Sequence, residues 1–286
     1  MTQNATIAII TPAYRAQDTL PATIRSVLDQ THADWHHWII ADDGFDYAGF
    51  LADKGLADPR QLFLTSGGIG RGASVARNAA LDRIDSPYAA ILDADDRLKP
   101  EKLECVAAAL VTHGIVTTAL DVMDSSFRHL RMVGTGSDRV LRPGEHKWVS
   151  VSMDSMVAWD RSRGDGRYDA GMSNMTDLEF LLQLYRTVPQ SLHLGTPLHD
   201  YIKRDGSMSN GKNVAAGMIA SKREILNRLE SGHYGLAQAD VEGLARFLRI
   251  SLAAEAAYGA ALAARPGLLF EDHLEPMLAA AHQDSA

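Results

Sequence analysis

The chain reads as an α/β protein: a mostly parallel sheet flanked by helices, with a C-terminal helical extension. Three features predict this. Short apolar runs alternate with helix-periodic segments through the first half, the pattern of repeated β-α-β units. Those runs are apolar at consecutive positions, as strands buried on both faces require. From about Ser221 onward every segment has helical periodicity.

Each element has its own warrant. "IAIIT" (7–11) is the first buried strand, and Leu20, Ile24, Val27 and Leu28 then share one helical face. "WIIAD" (38–42) and "LFLT" (62–65) are further strands, followed by a helix through "ASVARNAALDRI". "YAAIL" (88–92) is a fourth strand. Pro100 stands where a helix begins, and Gly114 where it stops. Beyond residue 115 the pattern loosens. "IVTTALDVM" and "SMVAW" read as strands, "TDLEFLLQLYRTV" as a helix, and the polar "YIKRDGSMSNGKN" as a mobile loop. The expected division is a sheet-bearing domain over 1–215 and a helical extension over 216–286.

Composition bounds the function. Of 286 residues, 46% are apolar and 22% charged, enough for a sizeable core. A net charge of −8 without a long basic run gives nucleic-acid binding no electrostatic support. The one cysteine, Cys105, permits no internal disulfide and suits a reducing compartment. The N-terminal stretch lacks the regions of a secretory signal. The apolar "ISLAAEAAYGAALAA" is interrupted by Glu255 and falls short of the ~20 residues of a membrane span. These features predict a soluble cytoplasmic protein with no transmembrane segment.

The chemistry concentrates in "AAILDADDRLKPEKLE". Asp93, Asp95 and Asp96 crowd the end of a buried strand, and in open α/β sheets ligands bind at carboxyl strand ends. Asp42 and Asp43 end another strand, and Pro12 and Tyr14 follow the first. Clustered carboxylates repel, and a divalent cation offsets that repulsion directly. Mg2+ or Mn2+ is typically held by one or two carboxylates plus substrate phosphates. Without a cation, Asp95, Asp96 and Arg97 would cap the following helix or face water.

"IITPAYRAQDTLPATIRSVLDQTHADWHHWIIADDG", "GRGASVARNAALD" and "YAAILDADDRLKPEKLE", in this order and spacing, resemble family-two inverting glycosyltransferases of the GT-A (Rossmann-like) fold. The likeness runs from about residue 6 to 104 and weakens toward 210. It implies a GT-A domain over 1–215 that transfers a sugar, of hexosyltransferase type, from a nucleoside diphosphate donor, UDP by preference. The implied acceptor is a glycan or lipid-linked molecule of polysaccharide biosynthesis. The resemblance assigns Pro12 and Tyr14 to stacking on the base and Asp43 to hydrogen-bonding it. Arg71 and Arg77 match positions near donor phosphate or base. Asp93 contacts ribose or metal, and Asp95 coordinates Mn2+ or Mg2+, as the family's DXD motif. Asp177 matches the catalytic base, with Thr176 where the family usually has Glu and Glu179 as a backup. Lys203 and Arg204 are expected near phosphate, and Asp205 stands where many relatives have His.

The glycines of "GGIGRGASVARN" fit either a phosphate cradle or a flexible turn, since no P-loop or Rossmann fingerprint is complete. Two other readings share the sheet. A nucleotidyltransferase usually carries a Gly-rich loop after its first strand, and "TPAYRAQDTL" has none. A non-catalytic sugar-nucleotide-binding protein stays open through Thr176 and Asp205. The tail helices are expected to pack on the domain or mediate a homodimer. A peripheral place at the inner membrane face would suit lipid-linked acceptors.

Overall fold

The computed structural model describes residues 5–151, 154, 156–204 and 214–283. The N-terminal half alternates as expected: β1 (Ile7–Ala13), α1 (Leu20–Leu28), β2 (Trp35–Ala41), α2 (Tyr47–Asp53), β3 (Gln61–Thr65), α3 (Ala73–Leu81) and β4 (Tyr88–Ile91). The strands pair in parallel in the order β3-β2-β1-β4. Ile7, Ile9 and Ile10 of β1 and Ile40 of β2 are fully buried, since helices cover both faces.

The second half departs from a parallel plan. It runs β5 (Arg97–Leu98), α4 (Lys102–Leu110), β6 (Ile115–Asp124), β7 (His129–Val133), β8 (Arg139–Leu141), α5 (Pro143–Val149), β9 (Ala158–Asp160), α6 (Thr176–Leu184) and β10 (Ser191–Lys203). β9 is antiparallel to both β4 and β6 and joins the two halves. β10 lies parallel to β6 and antiparallel to β5 and β8. The result is a mixed ten-stranded sheet. A tight turn with Phe127 in the left-handed region (φ 61°) sends the chain back from β6 into antiparallel β7. Strands of two or three residues such as β5, β8 and β9 are too short to show a periodicity. α4 also ends at Leu110, before Gly114.

α7 (Val214–Glu230), α8 (Gln238–Ala264) and α9 (Phe270–Gln283) form the helical C-terminal region. They share one apolar core with the sheet: Ile225, Leu229, Leu244, Phe247, Leu248 and Leu274 join the cluster of Ile10, Trp159, Phe180 and Leu181. Ion pairs add to this. Arg131 of β7 meets Asp272 and Glu275 of α9, and Lys203 at the end of β10 meets Glu271 at 2.7 Å. Contrary to the reading of its sequence, α8 is long and apolar enough to cross a membrane, with a mean hydropathy of 1.3 over its most apolar window. Its first half packs inward, however, and Leu244, Phe247 and Leu248 are at most 1% exposed.

If α8 belongs to the folded core, Leu248→Ala should lower the unfolding free energy by about 2–5 kcal/mol. Denaturant titration checks this. A change near zero would mean that α8 packs elsewhere.

Candidate active site

The parallel register brings three strand ends to one rim. Ala13 pairs with Ala41 and Ile10 with Ile91, so Tyr14, Asp42/Asp43 and Asp93 leave the sheet side by side. Pro12, next to last in β1, is half-buried, and Tyr14 just beyond the strand is 47% exposed. Asp43 accepts hydrogen bonds from the Arg15 amide (2.7 Å), the Phe45 amide (3.0 Å) and the Tyr47 hydroxyl (2.9 Å). Burial alone would raise its pKa, but these donors hold it below the usual carboxylate range. Arg15 is held in the left-handed region (φ 51°) beneath this carboxylate.

Asp42 is 3% exposed and faces the other way. It accepts from the amides of Arg71 (2.9 Å) and Gly72 (2.8 Å) and from the Ser66 hydroxyl. The Gly-rich loop between β3 and α3 is thus neither a flexible turn nor a phosphate cradle at those two amides, which already have a carboxylate. Gly70 and Gly72 take positive φ (66° and 93°) to make that turn. Arg71 projects outward and has no ion pair among the described residues.

The "DADD" turn divides its acids. Asp96 is buried at 1% exposure and binds the Ile202 amide (2.8 Å) and His199 Nε2 (3.1 Å), docking β10 onto the turn. Lys102, also buried, reaches His199 Nδ1 at 3.0 Å, and burial pulls its pKa down to about 7 against the attraction of Asp96. Thr23 of α1 donates to the Ala94 carbonyl at 3.0 Å. The turn is therefore fixed on both sides, and Asp93 and Asp95 are left half-buried at the strand-end rim. Burial, then the charge of Asp93, raises the Asp95 pKa to about 6.

Asp177 lies on the first turn of α6, after Met175 in the left-handed region (φ 55°). It comes to the same place. Arg77 of α3 contacts Asp93 Oδ1 at 2.5 Å and Asp177 Oδ1 at 3.1 Å. The Arg77 side chain is 4% exposed, against 27% for Asp93 and 21% for Asp177. Burial raises the Asp177 pKa, the Arg77 charge opposes this, and the charge of Asp93 raises it further, to about 6. Glu179 is no alternative: it is fully buried, with Gln183 at 2.8 Å and Arg228 at 3.2 Å. Helical spacing against Leu178, Leu181 and Leu182 would leave Glu179 facing solvent, whereas the structure encloses it. Lys203 is engaged by Glu271, and Asp205 lies outside the described residues.

Two residues of the site gave little or no signal in the sequence. Tyr168 lies under Arg77, its ring centroid 4.9 Å from the guanidinium carbon, and stacks on Phe180 at 4.4 Å and 3°. Asn78 bonds the Tyr168 backbone twice, at 2.8 and 2.9 Å. Only the pairing of Asn78 with Arg77 in "ARN" hinted at a role. The loop carrying Tyr168 has no local pattern.

The fit for a divalent cation rests on this geometry. Among the described residues no salt bridge engages the Asp95 carboxylate, whose opposing influences are its own amide and the charge of Arg204, and Asp93 meets Arg77 through Oδ1. No group of three His, Cys, Asp or Glu side chains is placed to hold an ion among the described residues. Two carboxylates with phosphate and water completing the shell is the arrangement such a set allows.

Comparison with known proteins agrees with the fold. The profile of "Glycosyl transferase family 2" matches residues 8–147. TuaG of Bacillus subtilis (strain 168), named as a teichuronic acid biosynthesis glycosyltransferase, is 37% identical over 34% of this chain. WfgD of Escherichia coli, named as a UDP-Glc:alpha-D-GlcNAc-diphosphoundecaprenol beta-1,3-glucosyltransferase, is 36% identical over 38% of this chain. The matched stretches span 39% and 42% of those relatives' own length. Among solved structures, S. aureus TarS (residues 1–349) in complex with UDP-GlcNAc superposes with a TM-score of 0.67 at 15% identity, over 98% of this chain and 80% of that one. The mannosyltransferase PcManGT of Pyrobaculum calidifontis, in complex with GDP-Man and Mn2+, gives a TM-score of 0.58 at 15% identity, over 99% of this chain and 80% of that one. Residues 8–147 thus carry the likeness to glycosyl transferase family 2, and the sheet they help form has the GT-A fold.

Proposed function

We propose that this chain is an inverting, metal-dependent glycosyltransferase that moves a sugar from a nucleoside diphosphate, UDP by preference, to a glycan or lipid-linked acceptor. One observation carries the reading: two acids far apart in sequence, Asp93 and Asp177, converge on one buried arginine at the rim where the strand ends meet. The UDP and lipid-linked terms draw on the relative WfgD, and the divalent cation on the neighbour PcManGT.

Each group has a defined task. The exposed Tyr14 ring, with Pro12 behind it, offers a flat apolar face to a base. Asp43, kept ionised by its three donors, retains acceptor capacity for an imide N–H, as uracil presents. Arg71 supplies a positive charge at the donor side. Asp93 and Asp95 would hold Mn2+ or Mg2+, which when bound neutralises charge accumulating on the leaving diphosphate. Asp177 accepts the proton of the acceptor hydroxyl as that oxygen attacks the anomeric carbon from the face opposite the diphosphate. A single base acting in line inverts the anomeric centre. The part of α8 that projects beyond the core, and the lipid-linked substrate of WfgD, support a peripheral place at a membrane face.

Asp177 must be ionised to act, so kcat/KM should fall tenfold per pH unit below about 6. The limb should vanish in Asp177→Asn, with kcat down roughly 10²–10⁴-fold and UDP affinity retained. A pH–rate profile with UDP-sugar and Mn2+ checks this. A flat profile between pH 5 and 7 would remove Asp177 from the role.

The stability of the metal-free protein should run the opposite way with pH. Folding raises the pKa of both Asp95 and Asp177, so their contribution is full below the ordinary carboxylate value near 4 and declines as pH rises through about 6. Mn2+ should therefore raise the melting temperature more at pH 7.5 than at pH 5, and not at all in Asp95→Ala. Scanning fluorimetry with and without Mn2+ reads both.

A further inference from the structure

We infer that the adjacent pair Arg77–Asn78 on α3 is a positioning clamp that holds the base-bearing half of the site against the donor half. This builds on the reading of Asp177 as the base, and it gives Arg77 a task other than touching the donor.

The geometry gives every link. Arg77 is buried to 4% side-chain exposure, so it presents almost no surface to a ligand. Its two terminal nitrogens diverge, one to Asp93 on the strand-end turn and one to Asp177 on α6. The guanidinium donates a hydrogen bond to Asp93 and pairs by charge with Asp177, and its planar fork fixes the angle between the two contacts more tightly than a flexible ammonium would. The next residue repeats the connection by another route. Asn78 donates to the Tyr168 carbonyl at 2.8 Å and accepts from the Tyr168 amide at 2.9 Å. Tyr168 in turn stacks flat on Phe180, which shares α6 with Asp177. Two consecutive side chains of one helix thus reach α6 by two routes, one ionic and one through a stacked ring pair, which meet where Arg77 lies over the Tyr168 ring.

The need for such a clamp is evident in the chain's course. Asp177 reaches the rim on a separate segment, entered through Met175 in the left-handed region. No strand pairing fixes its height above the sheet. A base displaced by an ångström loses attack geometry.

Amide hydrogen exchange on the protein alone tests the clamp. In Asn78→Ala, peptides covering 166–180 should exchange roughly tenfold faster or more, while peptides covering 88–96 stay as in the wild type. In turnover, Asn78→Ala should lower kcat roughly tenfold or more and Arg77→Lys roughly a hundredfold. UDP affinity measured without divalent ion should stay within roughly twofold in both, since neither side chain contacts the donor. Unchanged exchange at 166–180, or a raised donor KM with kcat intact, overturns the clamp. The exchange experiment needs no donor. Faster exchange with no wild-type turnover of any sugar nucleotide would therefore keep the clamp and remove the glycosyltransferase reading.

Discussion

One buried positive charge between two carboxylates organises this structure. Taking a guanidinium out of water is costly, and so is bringing acids together in a poorly solvated cleft. Each cost is offset by the other. The charges of Asp177 and Asp93 hold Arg77 firmly protonated in spite of its burial, while Arg77 limits how far burial raises the Asp177 pKa. Asp95 has no ion pair of this kind among the described residues; burial and the charge of Asp93 raise its pKa to about 6, with only the charge of Arg204 and its own amide opposing them. Asp93 and Asp95 thus stand together at the strand-end turn with one close ion pair between them, at Asp93, which is where a cation would be useful.

The remaining acids show how closely spaced carboxylates divide their work. Asp42 turns inward and fixes the loop before α3, and Asp43 turns outward and fixes the loop after β1. Asp96 turns inward and ties β10 to the turn that bears Asp93 and Asp95. In both pairs of adjacent acids the buried member is committed to the frame and its neighbour is the more exposed of the two. The mixed sheet serves the same end. Its parallel half lines up strand ends, and the antiparallel β9 bridges to the half that supplies α6 and β10.

Much of this was legible in the sequence, and the boundary of legibility has a physical cause. β1, β2, β3 and β4 announce themselves because strands buried on both faces need consecutive apolar residues. The acids stood out because like charge at a strand end needs a reason. For "ADDG" the resemblance already set Asp43 toward the ligand and left Asp42 to backbone groups, but the sequence did not disclose which acid of "DADD" turns inward, since that depends on Ile202 and His199, distant in the chain. Glu179 was misread for the same reason. Helical spacing assigns it to an ambiguous edge, and only Arg228 of α7 shows that the edge is covered. β5, β7, β8 and β9 are held by neighbours rather than by their own pattern. Tyr168 lies in a loop whose meaning comes wholly from Asn78 and Phe180.

The central physical claim is that the acid at Asp95 carries a proton the folded protein would exchange for a cation. Calorimetric titration of Mn2+ with UDP at pH 6, in two buffers of different ionisation enthalpy, measures that exchange when wild type is compared with Asp95→Asn. The wild type should release roughly half a proton more per site, because Asp95 is near its midpoint at that pH. Equal proton release in the two proteins, or equal affinity for the metal nucleotide, would contradict it.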